Sequence, residues 1–301
     1  MPIGLRVALT FFLLAIVSSA AAIAAAAGPP LGSALAPVRR PPTDSPALWG
    51  MAYEPVAFES SDGAVLRGWF IPGQSRAAVA LAHGLWMDRQ SMLPIATALH
   101  QRAGVSLLLF DFRSVGESGG DRITFGYREQ ADLAAAVDYL ESRPDVDPER
   151  IGAMGNSLGA AVTLLTAAAR PDIAAVAADS PFTSVDSIIE NSFQLLTGLP
   201  PFPLGLLAVG MSEWELGFSP AEVAPLRAVG RISPRPLLLI HGLRDKLIPY
   251  GQSEALYDAA GAPKELWLVP GADHVGARTT ATAAYEQRVA AFFQRHLNSS
   301  R

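Results

Sequence analysis

Residues 151–162 read IGAMGNSLGAAV, and this stretch is the clearest indication of the fold in the chain. Residues 151–154 form an apolar run of strand length, and the apolar residues that follow Ser157 begin a helical pattern. Between the two lies GNSLG, a G-x-S-x-G motif at residues 155–159. A tight strand-to-helix turn needs flanking residues without bulk, and it exposes the serine hydroxyl at the edge of a sheet. This context, more than the short motif itself, makes Ser157 the candidate nucleophile.

Short apolar runs alternate with helical patterns along most of the chain. The predicted strands are residues 55–59, 65–71, 77–81, 106–110, 151–154, 174–178, 236–240 and 265–269. The predicted helices are residues 91–102, 127–142, 158–169, 252–260 and 281–297. Most of the strands are continuously apolar, which is typical of parallel strands covered by helices on both faces, whereas the first two form an antiparallel hairpin at the edge. The sequence therefore predicts one α/β domain with an eight-stranded, mostly parallel sheet.

A serine hydroxyl becomes a nucleophile only beside a base. His274 is the candidate base, because it follows the last predicted strand and can reach back over the sheet edge. The acid is expected between the serine and the histidine in chain order. Asp245, in the loop after the strand at 236–240, is the preferred acid, and Asp179, after the strand at 174–178, is the alternative. His83 and His241, which also follow strands, are assigned supporting roles.

Acyl transfer further requires two N–H donors for the oxyanion. One is the backbone N–H of Leu158, directly after the nucleophile. The second is expected in the loop after the strand at 77–81, where Leu85 follows a His-Gly pair. This chemistry needs no metal and no organic cofactor, so none is expected.

The composition excludes several other functions. The 301 residues carry a net charge of −5 and contain no cluster of Lys or Arg, which argues against nucleic acid as a partner. The chain has no cysteine, which excludes disulfides, thiolate metal sites and a cysteine nucleophile.

The N-terminal region differs from the rest of the chain. Residues 7–38 carry no charge; a short apolar core is followed by an alanine-rich stretch that ends at residue 27. Residues 1–27 are therefore predicted to be a signal peptide or a retained membrane anchor, two readings that the sequence leaves open. Either reading places the folded part outside the cytoplasm, secreted, periplasmic or membrane-associated. Residues 28–46, rich in proline and small residues, are predicted to be an extended linker before a catalytic domain at 47–301.

Residues 183–234 interrupt the alternation of strands and helices. They separate two predicted strands by about fifty residues, far more than an ordinary connection. The segment is rich in leucine and aromatic residues, and we interpret it as a small helical lid over the carboxyl edge of the sheet. A helical decoration that does not contact substrate is the alternative interpretation.

Taken together, these motifs resemble the α/β-hydrolase superfamily, and in detail the serine aminopeptidase-like and acyl-peptidase-like bacterial hydrolases. The motifs that carry the resemblance are HG at 83–84, DFRSVGES at 111–118, GNSLG at 155–159, HGLRD at 241–245, and Gly271 with His274. The match extends from about residue 55 to residue 297. It implies the eight-stranded α/β-hydrolase fold, to which the insertion at 183–234 adds a short helical lid, and a structural turn at 111–118 in which Arg113 bonds neighbouring loops.

The resemblance also implies a catalytic triad of Ser157, Asp245 and His274, with an oxyanion hole formed by the N–H groups of Leu85 and Leu158. The apolar content of the lid indicates an apolar acyl group, so the expected activity is hydrolysis of a carboxylic ester of a small-molecule substrate through an acyl-enzyme. A peptidase and a thioesterase remain open, since the same triad serves all three. A hydrolase-fold protein that only binds a ligand is the remaining alternative.

Overall fold

The computed structural model of the chain describes residues 36–197 and 217–298. Its strands are β1 (Glu54–Glu59), β2 (Val65–Ile71), β3 (Ala78–Ala82), β4 (Ser106–Phe110), β5 (Ile151–Asn156), β6 (Ile173–Asp179), β7 (Leu237–Gly242) and β8 (Lys264–Val269). Its α-helices are α1 (Leu93–Ala103), α2 (Glu129–Glu141), α3 (Leu158–Ala169), α4 (Val185–Thr197), α5 (Pro225–Ala228), α6 (Gly251–Ala259), α7 (Ala277–Thr280) and α8 (Thr282–Leu297). Each predicted strand and helix is present, with its bounds shifted by about two residues or less.

All eight strands form one sheet in the order β1-β2-β4-β3-β5-β6-β7-β8. β2 runs antiparallel to β1 and to β4, and the remaining neighbours are parallel. This topology confirms the predicted α/β-hydrolase fold, including the antiparallel hairpin at the edge. Because the strands from β3 to β8 are parallel, the loops that follow them meet at one edge of the sheet, where ligands bind in folds of this type.

Two apolar layers cover the sheet. Helices α2, α3 and α6 pack on one face, and α1 and α8 pack on the other. Successive residues of a strand point to opposite faces, so Ala153 in β5 joins the first layer and Met154 joins the second. Helix α8 approaches β5 closely at Gly152, where a Cβ would lie 2.8 Å from the ring of Phe293. Full burial of a side chain such as Phe293 stabilises the fold by about 1.5–3 kcal/mol.

The turn after β4 is built around a buried arginine. Arg113 is 2% exposed, and its guanidinium donates to Asp132 on α2 at 2.6 Å and to Asp62 in the β1–β2 turn at 2.6 Å. A buried cation is tolerated only when it is paired and hydrogen-bonded in this way. The predicted role of Arg113 in bonding neighbouring loops is thus seen in the structure.

Part of the predicted linker is packed against the catalytic domain. Residues 36–46 include a β-bridge between Val38 and Val115, with backbone hydrogen bonds of 2.7 and 2.9 Å to the loop at 114–120. The guanidinium of Arg39 donates to two further carbonyl oxygens of that loop. The stretch is extended, as a linker is expected to be, but it is also held in place by the domain.

Two predicted segments lie partly or wholly outside the described residues. The apolar N-terminal segment at 1–27 lies outside them, as do residues 198–216 of the predicted lid. Helices α4 and α5 belong to the described remainder of that insertion. Within residues 36–197 and 217–298, no helix has the length and apolar character needed to cross a bilayer.

Candidate active site

The turn between β5 and α3 holds Ser157 in a strained conformation. Its backbone has φ +52° and ψ −119°, a region that residues with a side chain rarely adopt. The flanking glycines are required by close packing: a Cβ at Gly155 would lie 2.2 Å from the carbonyl oxygen of Gly159, and a Cβ at Gly159 would lie 2.2 Å from that of Ala82. The G-x-S-x-G pattern is therefore a consequence of backbone crowding at the sharp turn.

The structure brings three predicted residues into one hydrogen-bonded chain. Ser157 Oγ lies 2.9 Å from His274 Nε2, and His274 Nδ1 lies 2.7 Å from Asp245 Oδ2. Asp245 follows β7, and His274 lies in the loop between β8 and α7. That loop is fixed by a hydrogen bond from the N–H of Val275, which has φ +56°, to the hydroxyl of Ser180. The sequence analysis predicted these three residues from their places after strands and from the family resemblance, with Asp179 as the alternative acid.

Asp245 is held as a carboxylate by its surroundings. The residue is 5% exposed, and burial by itself would raise its pKa. Hydrogen bonds from His241, His274 and the N–H of Ile248 outweigh burial and lower the pKa of Asp245 to about 2. Its Oδ1 also accepts from the N–H of Leu247, at 3.0 Å. A negative charge is therefore available to His274 throughout the neutral pH range.

Asp179, the alternative acid, has other partners. It ends β6, and its carboxylate accepts from the hydroxyl of Tyr285 at 2.9 Å and from that of Ser180 at 3.0 Å. Burial raises the pKa of Asp179 above its ordinary value. Its carbonyl oxygen accepts from the N–H of Ser157, at 2.8 Å. Asp179 thus supports the turn of the nucleophile, and Asp245 is the carboxylate that bonds to His274.

The turn after β3 lies beside the nucleophile. A Cβ at Gly84 would lie 3.5 Å from the Cβ of Ser157. His83 Nδ1 donates to the carbonyl oxygen of Gly84 at 2.8 Å, and His83 Nε2 accepts from the N–H of Phe112 at 3.0 Å. Burial lowers the pKa of His83, consistent with a neutral ring in this one tautomer. His83 therefore joins the turn after β3 to the turn after β4 through these two hydrogen bonds.

The hydrogen bond from His83 to Gly84 bears on one of the two candidate oxyanion donors, the N–H of Leu85. The carbonyl of Gly84 and the N–H of Leu85 belong to one trans peptide unit, in which the two groups point in opposite directions. Because the Gly84 carbonyl oxygen accepts a hydrogen bond from His83, the Leu85 N–H points away from that ring. The Leu158 N–H is the first of α3, where N–H groups have no partner within the helix. A cavity of about 10 Å³, room for about one water, lies beside both residues.

Apolar side chains line the two loops that flank Ser157. Trp86 and Met87, in the turn after β3, are 57% and 44% exposed. Leu243, Leu247 and Tyr250, in and after the loop that carries Asp245, are 38–46% exposed. A single exposed apolar residue is ordinary, whereas several on neighbouring loops are typical of a binding surface.

The described part of the insertion is bonded to the loop that carries the acid. The Asn191 side chain on α4 donates to the carbonyl oxygen of Leu247 at 2.6 Å. At the other end of this helix, Gln252 on α6 accepts from the N–H of Thr183 at 2.8 Å and from the hydroxyl of Ser187 at 3.0 Å. Helix α4 therefore has a fixed position beside the candidate site.

Comparison with known proteins shows a consistent set of similarities. Residues 122–300 match the model of the prolyl oligopeptidase family. YfhR of Escherichia coli K12 is 32% identical over 232 residues, which cover 74% of each chain. Rv2307c of Mycobacterium tuberculosis H37Rv is 36% identical over 222 residues, covering 73% of this chain and 71% of that protein.

Among solved structures, the Pyrococcus furiosus esterase Pf2001 superposes with a TM-score of 0.75 at 29% identity. The superposition covers 87% of this chain and 98% of the esterase. The similarity therefore extends over most of this chain and nearly all of the esterase.

Proposed function

The chain is a serine hydrolase that belongs to the prolyl oligopeptidase family, and we propose that it hydrolyses carboxylic esters through an acyl-enzyme on Ser157. The observation that carries the proposal is the continuous hydrogen-bonded chain from Ser157 Oγ through His274 to Asp245, with spacings of 2.9 and 2.7 Å. Each member has the geometry that acyl transfer by a serine requires.

In the first half of the reaction, Ser157 Oγ attacks the acyl carbon while His274 Nε2 takes the hydroxyl proton. The carbonyl oxygen becomes an oxyanion, which accepts from the N–H groups of Leu85 and Leu158. The intermediate then collapses, the bond to the leaving alkoxide breaks, and His274 passes its proton to that oxygen. Each preorganised donor is worth about 2.7–4 kcal/mol in a site of this type.

In the second half, water replaces the alcohol. His274 takes a proton from the water as it attacks the acyl carbon, and the same two N–H groups hold the second oxyanion. Collapse returns the proton to Ser157 Oγ and releases the carboxylic acid. Asp245 stays ionised throughout and stabilises the imidazolium at both stages, because its pKa of about 2 is far below neutrality.

Two observations favour esters with an apolar acyl group. The structural relative Pf2001, which covers 87% of this chain, is an esterase. The loop after β3 and the loop that carries Asp245 also present exposed apolar side chains, among them Trp86, Met87 and Leu247. Peptidase activity is the second candidate, and the observation that favours it is the match to the prolyl oligopeptidase family.

Purified wild type and a Ser157→Ala variant, treated with a fluorophosphonate probe, test the nucleophile. We expect the wild type alone to be labelled. A series of p-nitrophenyl esters from acetate to palmitate, with a peptide p-nitroanilide and an acyl thioester beside it, then tests the substrate class. Faster turnover of esters that peaks with an apolar acyl chain supports the proposal; faster cleavage of the anilide or thioester contradicts it. Absence of labelling in a folded wild type would favour a ligand-binding role.

The location of the enzyme is a separate proposal that rests on the sequence of residues 1–27. An uncharged apolar segment followed by small residues supports export, with the catalytic domain outside the cytoplasm. Cell fractionation and N-terminal sequencing of the mature protein test this. Recovery of the full-length chain in the cytoplasmic fraction would contradict it.

A further inference from the structure

We propose that His241 is a positioning residue that fixes the Asp245 carboxylate for His274. The inference deepens the proposed function, because it rests on the same triad. His241 lies near the end of β7 and is 0% exposed. Its Nδ1 lies 2.7 Å from the hydroxyl of Ser253 on α6. Its Nε2 lies 2.8 Å from the carbonyl oxygen of Ile248 and 3.2 Å from Asp245 Oδ2.

The partners of His241 determine where its proton lies. A carbonyl oxygen only accepts hydrogen bonds, and so does an ionised carboxylate, so Nε2 must carry the proton. One N–H is therefore shared between Ile248 and Asp245. On the other side of the ring, the Ser253 hydroxyl donates to Nδ1 of a neutral imidazole. The ring thus links α6 to the loop that carries the acid.

His241 orients the carboxylate of Asp245 independently of His274, the residue that moves during proton transfer. Asp245 Oδ1 accepts from the backbone N–H groups of Leu247 at 3.0 Å and Ile248 at 2.8 Å. Among the described residues, Oδ2 accepts from two histidine rings, His241 and His274. If His241 were absent, His274 alone would direct Oδ2, and Oδ2 would turn about the anchored Oδ1 with the ring that it orients. With His241 present, Oδ2 is held by a group that takes no part in proton transfer.

The charges around His241 agree with this role. The acidic groups that face it are Asp245 and Asp179, and the neighbouring titratable base is His274. The carboxylate of Asp179 is bonded to Tyr285 and Ser180 and does not compete for Nε2. His241 therefore directs its single proton to the loop at 245–248.

Two substitutions at His241 separate positioning from packing. In His241→Gln the side-chain amide can place an N–H where Nε2 lies, whereas in His241→Asn the amide reaches only the place of Nδ1. We expect kcat of the Asn variant to fall by about 10- to 100-fold, the size of effect produced by a misplaced catalytic group, with KM changed less than about twofold. The acid limb of the pH profile of kcat/KM should move to lower pH, because the His274 imidazolium loses its fixed acceptor.

The Gln variant should restore most of kcat and the position of the acid limb. His100→Asn on α1 is the matched control, since it is the same substitution outside the loops that carry the triad, and it should leave kcat unchanged. If His241→Asn does not fold, Ser253→Ala serves in its place: it frees the Nδ1 side of the ring and should lower kcat with the same direction of shift in the acid limb.

Proton NMR gives a readout that does not depend on turnover. The His274 Nδ1–H bonded to Asp245 should give a far-downfield resonance in the wild type and in His241→Gln, and this resonance should broaden or vanish in His241→Asn. The proposal is overturned if His241→Asn keeps the kcat, the acid limb and the NMR resonance of the wild type. It is also overturned if His241→Gln is impaired as far as His241→Asn. If wild type is inert toward esters and fluorophosphonate, the proposed function fails, while the NMR comparison still tests the positioning role.

Discussion

Replacement of Asp245 by asparagine should reverse the hydrogen bond to His274 rather than merely weaken it. Asp245 Oδ1 accepts from two backbone N–H groups, those of Leu247 and Ile248. An asparagine must turn its carbonyl oxygen toward these donors, because the opposite orientation would set its NH₂ group against both of them. Its NH₂ group then occupies the place of Oδ2, 2.7 Å from His274 Nδ1.

An NH₂ group in that place donates to Nδ1, so the single proton of a neutral His274 moves to Nε2. Nε2 then faces Ser157 Oγ as a donor and cannot take its proton. In a Ser–His–Asp triad the wrong tautomer costs about 10⁴-fold in kcat. At about 1.36 kcal/mol for each factor of ten, this is a rise of about 5.4 kcal/mol in the barrier.

The assay compares kcat for p-nitrophenyl butyrate and the rate of fluorophosphonate labelling between wild type and Asp245→Asn, with thermal unfolding as a check on folding. Asp179→Asn is the matched control, since it is the same chemical change at a carboxylate bonded to Tyr285 and Ser180. We expect the control to lose less than about tenfold, because Asp179 does not orient the histidine. If Asp245→Asn keeps kcat within about tenfold of wild type, or if the control falls as far, Asp245 does not set the tautomer of His274.

Three further predictions concern stability and access to the nucleophile. Folding lowers the pKa of Asp245 from 3.8 to about 2, so the ionised carboxylate stabilises the folded protein fully above pH 3.8, and this stabilisation is lost as the pH falls toward 2. The free energy of unfolding measured in urea should therefore depend less on acid pH in Asp245→Asn than in the wild type. Gly84→Ala places a methyl group 3.5 Å from the Cβ of Ser157, a contact that the fold accommodates. We expect kcat/KM to fall by about tenfold or more, while the free energy of unfolding changes by less than about 1 kcal/mol. A loss of stability large enough to account for the loss of kcat/KM would count against this prediction. Arg113→Met leaves a buried aspartate on α2 unpaired and should cost about 3–5 kcal/mol in chemical denaturation, whereas Arg102→Met, which breaks an exposed ion pair, should cost less than about 1 kcal/mol.

The sequence predicted the strands and helices well because the pattern is local. Most of the parallel strands are continuous apolar runs whose ends are marked by a polar or glycine residue, although β8 itself begins with Lys264 and Glu265. The members of the candidate triad could be predicted for a related reason: parallel strands bring their carboxyl ends to one edge, and residues that follow those strands must meet there. Ser157, Asp245 and His274 each follow such a strand.

Features that depend on side-chain contacts between distant segments were not accessible in the same way. Residue patterns do not reveal that His241 bonds to Ser253 or that Arg113 bonds to Asp62, since both contacts depend on the packing of a loop against another element. The β-bridge of Val38 is a single pair of residues within a proline-rich stretch, too short to produce an alternating pattern. The composition that predicted an extended linker holds no information about what that linker lies against.

The bridge at Val38 has a practical consequence for anyone who shortens the chain. A boundary at residue 47, which the composition suggests, would remove both Val38 and Arg39 and leave three carbonyl oxygens and one N–H of the loop at 114–120 without their protein partners. That loop lies only two residues beyond Phe112, whose N–H holds His83 in the turn beside the nucleophile. Removal of the segment at 36–46 would therefore free a loop that is covalently continuous with the catalytic edge, and expression boundaries that begin at residue 36 or earlier keep the two connected.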